Sequence, residues 1–172
     1  LHGKDAITVR QLLTHVSGLR PDVDLKPAWT GYETGVDLAC RERLRGTTGF
    51  TFIYSDINFI VLGELVRVIT GDRLDAYADR EIFRPIGMSD TGFNPSEKRR
   101  RRSAPTERLP EGLLHGVVHD PTARAMDGVA GHAGLFTTAS DLARYCRMLL
   151  ADGRVRGRQV LRPETIREMT RV

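Results

Sequence analysis

The chain has 172 residues, the size of one domain, and 40% of them are apolar against 28% charged. That balance supports a packed core and excludes a disordered tail. No stretch approaches the roughly 18 consecutive apolar residues of a membrane span, the longest such run being Phe59–Leu62. Two thiols, Cys40 and Cys146, are too few to organise a chain of this length, so a disulfide framework is excluded too.

Lys and Arg number 26 against 22 Asp and Glu, a surplus of +4. The run Lys98-Arg99-Arg100-Arg101-Arg102 carries +5, and without it the remaining residues sum to −1. A nucleic-acid surface spreads its basic residues along a face and interleaves aromatics. Here one solvated loop holds the whole excess and aromatics are only 6%, so the run reads as a charged linker and no nucleic-acid partner is expected. The sequence opens on Leu1 without a charged and then apolar leader, and it reads as a piece of something longer.

In chain order, Ile7–His15 is expected to be a short helix. Thr8 is its N-cap, Gln11 completes a capping box, and Ser17-Gly18 ends it. A second helix is expected around Val36–Leu44. The strongest periodicity follows: Ile57, Ile60, Val61, Leu65, Val68 and Ile69 recur at spacings of three and four, with Glu64 and Arg67 on the polar side, and Ser55 or Asp56 is the expected cap before a helix closed by Gly71. The next helix runs from about Leu74 to Phe83 and stops at Pro85-Ile86-Gly87-Met88. Residues 94–112 read as an exposed excursion. Val117-Val118 and Gly134–Thr137 are short strand candidates, Ser140 caps a helix through Leu149, and Pro163 opens the last helix at its first turn. The chain is thus expected to be mostly α-helical with a few short strands.

Several signatures of chemistry are absent. The sequence holds no G-x-S-x-G, G-x-x-x-x-G-K-[ST], G-x-G-x-x-G or H-E-x-x-H, so nothing points to a cofactor. His115 and His119 would share one face of a helix, but Gly116-Val117-Val118 between them favours a strand, where that spacing separates Cα atoms by about 13 Å. A metal site there is disfavoured, and the pair reads as a strand entering the turn Asp120-Pro121. In Tyr54-Ser55-Asp56 the phenol falls just ahead of a helix N-terminus. The orphan N–H groups and positive dipole end at such a position would lower the proton affinity of a tyrosine and make a phenolate base more accessible. By spacing alone, a tyrosine before an ordinary cap explains the tripeptide equally well.

Three blocks, ITVRQLLTHVSGL, YSDINFIVLGELVRVITGDRLDAYADREIFRPIGMSDTGF and GVAGHAGLFTTASDLARYCRMLL, occur in that order over roughly half the chain. Together they resemble the serine β-lactamase-related and penicillin-binding family, on the side of the class C β-lactamases, D,D-peptidases and esterases. The resemblance implies an α/β, β-lactamase/transpeptidase-like fold for the full-length family, of which residues 1–172 would be a partial single domain. It implies a serine nucleophile and a lysine in S-x-x-K, a tyrosine in Y-x-N that moves protons, and a later [KH]-[TS]-G strand. Only the middle motif stands here: Tyr54 and Asp56 are its candidate catalytic residues, with aspartate where asparagine is usual. No serine has lysine three residues on; since the family that the chain resembles has its nucleophile segment before the ITVRQLL block and its third motif after the GHAGLF block, the resemblance implies that they lie before Leu1 and beyond Val172. His132-Ala133-Gly134 imitates that third motif, but it precedes a helix and reads as local structure or pocket wall.

The implied activity is cleavage of amide, peptide or ester bonds through an acyl-serine intermediate, with a small-molecule or muropeptide substrate, no cofactor and no metal. An extracytoplasmic location, periplasmic or secreted, follows from the same resemblance; membrane attachment and oligomeric state stay open. The alternative is a non-catalytic relative that keeps the fold as a binding or structural module. An ionised Asp56 only accepts hydrogen bonds. It would gain an ion pair to the upstream lysine and lose a donor to the substrate carbonyl, which disfavours β-lactam hydrolysis more than acyl transfer as such.

Overall fold

A computed structural model describes residues 3–171. Helix α1 (Val9–Leu13) begins with the expected capping box: Gln11 N–H donates to the Thr8 hydroxyl and Thr8 N–H to the Gln11 side chain. It ends earlier than Ser17-Gly18. His15 N–H returns to the Leu12 carbonyl and Val16 N–H to that of Gln11, the paired bonds of a Schellman turn, and His15 itself takes the left-handed conformation with φ 58°. Helix α2 (Tyr32–Arg41) starts four residues before the expected Val36, at the φ 99° of Gly31. It stops short of Leu44, which is bridged to Leu19 instead.

Helix α3 (Asp56–Thr70) is the axis of the main core, and Gly71 closes it in the left-handed conformation. Ile57, Ile60 and Gly63 are buried along it, and they meet Leu12, Val36, Ala39, Ala123 and Met126 from α1, α2 and the segment around residue 125. The apolar stripe does not extend as far as its periodicity suggests: Val68 and Ile69 are 68% and 79% exposed, because the last turn outruns its packing partners. On the polar side Glu64 accepts two hydrogen bonds from Arg67 and one from the Tyr32 hydroxyl.

The next helical stretch also departs from expectation. It runs through α4 (Leu74–Ala78), a π turn (Asp79–Phe83) and α5 (Arg84–Ile86), three residues beyond the expected Phe83, and ends at Gly87, within the expected stop Pro85–Met88. Pro85 has no N–H to return to the preceding turn, and the chain widens into the π turn instead of breaking. Phe83, Ile86 and Met88 pack there against Met148 and Ile166 in a second core.

Strand β1 (Gly92–Phe93) leads into residues 94–112, which are mostly exposed, as expected, and carry regular structure of their own. They hold the helix α6 (Glu97–Arg100), strand β2 (Pro105–Leu109) and the start of β3 (Gly112–His115), paired with β2 in a hairpin. The strand expected at Val117-Val118 therefore lies a few residues earlier. Helix α7 (Pro121–Ala125) follows, capped by the Asp120 carboxylate accepting from Ala123 N–H. Strand β4 (Leu135–Phe136) pairs antiparallel with β1. Helix α8 (Ala139–Leu150) is capped by Thr138, not Ser140. The hairpin of β5 (Arg154–Val155) and β6 (Arg158–Gln159) precedes α9 (Pro163–Thr170), which has Pro163 in its first turn as expected. Each sheet among the described residues has two strands. Both cysteines are free.

Candidate active site

The N-terminal end of α3 gathers the residues that the sequence singled out. The loop after α1 wraps around it: Asp56 N–H donates to the Pro21 carbonyl at 2.7 Å, and the buried Ser55 hydroxyl to the Arg20 carbonyl at 2.6 Å. Ser55 occupies the N-cap position without capping through its side chain. Asp56 is the first helical residue, and its carboxylate accepts no hydrogen bond from any described residue. The expected cap position thus falls on Ser55, though without a side-chain hydrogen bond, and the Asp56 carboxylate is left unspent.

Extended backbone sends residues two apart to the same side, and Phe52 and Tyr54, 67% and 65% exposed, share that side. The Tyr54 ring stacks on the imidazole of His15, which also meets Phe52 edge-on and Phe59 at 5.2 Å between centroids. His15 Nδ1 accepts from Ser55 N–H at 3.0 Å and lies 3.3 Å from Asn58 Nδ2; in the neutral ring this assigns the proton to Nε2. Asn58 is fully buried and accepts from the Ser17 hydroxyl at 2.6 Å. Ser17 is buried and committed to that bond, so it is a structural serine.

On the other side of Asp56 stand Asp120 and His132, whose ligating atoms lie with its own within 4.8 Å of one another. His132 Nε2 donates to Asp120 Oδ1 at 2.9 Å, and its side chain is only 3% exposed. The imidazole reaches this position because Gly131 packs directly on α3: a Cβ there would lie 1.9 Å from the Phe59 carbonyl oxygen, and a Cβ on Gly63 of the helix would lie 3.3 Å from Gly131 N. His132 also lines a groove of about 580 Å3 with Thr106, His119, Leu135 and Phe136, which bears out its reading as a pocket wall.

Charge in this cluster is unevenly held. Burial raises the proton affinity of Asp56; His132 and His15 oppose the rise, and the neighbouring Asp22 and Asp120 add to it. Burial acts on Asp120 in the same direction, but the hydrogen bonds from His132 and Ala123 N–H prevail and hold its carboxyl below the ordinary value of 3.8. Two acids a few ångströms apart are thus driven in opposite directions, the pattern that separates acid from base roles at functional sites.

Sequence reasoning brought Tyr54 and Asp56 to one place and missed three of their neighbours. Asp120 was visible only as the start of a turn, His132 only as a wall, and His15 only as part of a helix. The pattern Gly131-His132-Ala133-Gly134 carried a signal, since glycines flanking a histidine mark close backbone approach. His115 and His119 fall into no group of three ligands among the described residues, and His115 Nε2 is 2.6 Å from the Ser103 carbonyl oxygen.

Comparison with known proteins identifies the family. The family model described as Beta-lactamase matches residues 1–172. An N-acetylmuramyl-L-alanine amidase of Bacillus subtilis (strain 168) is 33% identical over 91% of this chain and 41% of its own length. An Escherichia coli (strain K12) protein assigned as a D-alanyl-D-alanine carboxypeptidase is 31% identical over 99% of this chain and 44% of its own. The chain thus spans less than half the length of either relative. Among solved structures, a penicillin-binding protein homologue from Caulobacter crescentus superimposes with a TM-score of 0.71 at 22% identity, covering 96% of this chain and 49% of that one. The fold is of the β-lactamase/transpeptidase type, and the chain belongs to the β-lactamase family.

Proposed function

We propose that this chain forms the tyrosine-bearing part of the active site of a serine hydrolase, in a longer protein whose nucleophilic serine and lysine precede Leu1. The observation that carries the reading is Tyr54: an exposed phenol one residue ahead of the N-cap of a fifteen-residue helix, braced by His15 and followed by Asp56 with a free carboxylate. A phenol so placed can take a proton from an attacking serine and return it to the leaving group, splitting acyl transfer into formation and hydrolysis of an acyl-serine. Asp56 offers its charge to the lysine amine. The amidase and carboxypeptidase names of the two relatives favour an amide of the cell wall, a muropeptide, over a simple ester, and such a substrate places the protein outside the cytoplasm. No described helix is long and apolar enough to cross a membrane.

The test is covalent labelling with a fluorescent β-lactam and a fluorophosphonate, read by intact-mass and peptide mass spectrometry. A longer protein with S-x-x-K upstream of Leu1 is expected to carry one adduct on that serine, and the 172-residue chain none. Stoichiometric labelling of a serine within residues 1–172, or an S-x-x-K serine inert to both probes and to muropeptides, overturns the reading. The second outcome points to a non-catalytic binding module.

A further inference from the structure

We propose that the groove beside His132 holds an acidic peptide, and that Arg102 selects a carboxylate of that peptide lying away from the scissile amide. This rests on the amide reading above and deepens it by naming the substrate class. The groove measures about 580 Å3, within the roughly 300–1,000 Å3 of small-ligand sites. Arg102 is the one lysine or arginine along it, and no aspartate or glutamate lines it. Leu135 and Phe136 supply an apolar wall, and the hydroxyls of Thr106 and Thr137 add polar groups.

Charge differs from one part of the groove to another. Beside His132 stand the carboxylates of Asp56 and Asp120, whose ligating atoms lie within 4.8 Å of its own. Around Arg102 the balance is reversed. The Asp90 carboxylate is shared by two guanidiniums, 2.5 Å from Arg102 and 3.8 Å from Arg99, and Glu97 is taken by Arg101 at 3.0 Å. The five cations of the run Lys98–Arg102 thus meet two carboxylates, and Lys98 and Arg100 form no ion pair with a described residue. The run is also held in place. The stem of Arg100 crosses Gly116, where a Cβ would fall 2.3 Å from its Cγ, and Arg99 donates to the Ser89 carbonyl. A second cavity of about 90 Å3 shares Arg102, Phe136 and Thr137 with the groove and adds Arg99, so both guanidiniums that share Asp90 line the cleft. An anionic peptide is repelled beside His132 and attracted beside Arg102, which sets its direction in the groove.

NMR titration of the isotopically labelled 172-residue chain with two capped tripeptides tests the site. One is alanyl-glutamyl-alanine and the other its glutamine counterpart, each acetylated and amidated so that glutamate alone carries charge. The glutamate peptide is expected to shift the amides of Thr106, His119 and Leu135. It should bind about two- to fivefold more tightly than the glutamine peptide, the range of an exposed ion pair, and the difference should shrink in about 0.5 M salt. Arg102→Gln should abolish the preference and Arg102→Lys keep part of it. Arg101→Gln, the same change of charge in the same run but off the groove, should leave it intact. Equal affinity for the two peptides, no shift in the groove, or an equal loss in Arg101→Gln and Arg102→Gln overturns the proposal. None of these outcomes needs the serine. A chain that selects the glutamate peptide while the S-x-x-K serine of the longer protein stays inert would keep the groove and remove the hydrolase.

Discussion

The imidazole of His15 lies stacked against the phenol of Tyr54, with 4.5 Å between ring centroids and 28° between their planes. Neither ring is free to choose that arrangement. His15 sits at φ 58°, a conformation that non-glycine residues enter at a cost, and its Nδ1 holds the backbone N–H of Ser55, the residue after Tyr54. The turn that ends α1 therefore fixes the tyrosine ahead of α3. His15→Ala keeps the strained backbone and strands a buried donor, so it should lower unfolding stability by about 1–3 kcal/mol. His15→Asn tolerates the left-handed conformation and can still accept a hydrogen bond, so it should lose less. Urea denaturation of the two variants measures the difference, and equal losses would show that the nitrogen contributes nothing beyond the ring.

Tyr54→Phe in the longer protein separates chemistry from packing. The ring is retained and the hydroxyl has no hydrogen bond to a described residue, so folding should be nearly unchanged. The acylation rate should fall by roughly 10²–10⁴-fold, the usual contribution of a positioned acid–base group. Stopped-flow acylation by a chromogenic β-lactam or thioester reads the effect directly, and an unchanged rate would reduce Tyr54 to a surface aromatic.

What the sequence makes legible follows the range of the forces involved. Local signals were readable: the Thr8–Gln11 box, Gly71 at the end of α3 and Pro163 at the start of α9 each depend on neighbours within a turn or two. Tyr54 and Asp56 became candidates only through the family resemblance, because the tripeptide alone fits an ordinary cap equally well. The partners of Asp56 were not readable. Asp120 and His132 come from 64 and 76 positions further along, and only tertiary packing brings them to it. The misplaced endings have local causes that composition hides: a histidine can take the left-handed position usually given to glycine, and a π turn can carry a helix past a proline.

Gly131 offers a test of how that long-range contact is made. Its missing Cβ lets the loop touch α3, where an added carbon would fall 1.9 Å from the Phe59 carbonyl oxygen. Backbone cannot swing aside as a side-chain end can, so Gly131→Ala should destabilise the chain by about 1–3 kcal/mol, the usual cost of overpacking. It should also displace His132, which a change in the NMR shifts of its imidazole would report. The parallel Gly71→Ala meets no atom within 4 Å and should cost only its left-handed backbone, leaving the His132 shifts in place.

Asp56 and Asp120 should respond to acid with opposite signs. Asp120 has its folded proton affinity held below the ordinary value, so its ionised form stabilises the fold; that contribution is present above about pH 4 and is lost as pH falls through the lower folded value. Asp56 has its proton affinity raised, so ionising it costs stability, and the cost is full above the folded value and gone below the ordinary one. At neutral pH Asp120→Asn should therefore be less stable than the parent and Asp56→Asn more stable. Both differences should shrink in acid. Denaturation midpoints across pH 3–7 test the pair, and a shared sign at pH 7 would show that His132 does not separate them.

Asp56→Asn has a further consequence in the longer protein, where its carboxylate is proposed to hold the upstream lysine. Asparagine restores an N–H donor that an ionised aspartate lacks, and an amide substrate with an acylamido side chain uses such a donor more than an ester does. One regained hydrogen bond is worth about 0.5–1.5 kcal/mol, so amide turnover should rise relative to ester turnover by a few-fold to roughly tenfold. A capping role would predict no change, because asparagine and aspartate cap equally well; yet the Asp56 carboxylate lies inside the helix and accepts no backbone N–H among the described residues. The ratio of kcat/KM for a matched ester and amide, measured in both proteins, decides between the two. A ratio that stays fixed would mean that the charge of Asp56 serves the fold and has no part in choosing the substrate.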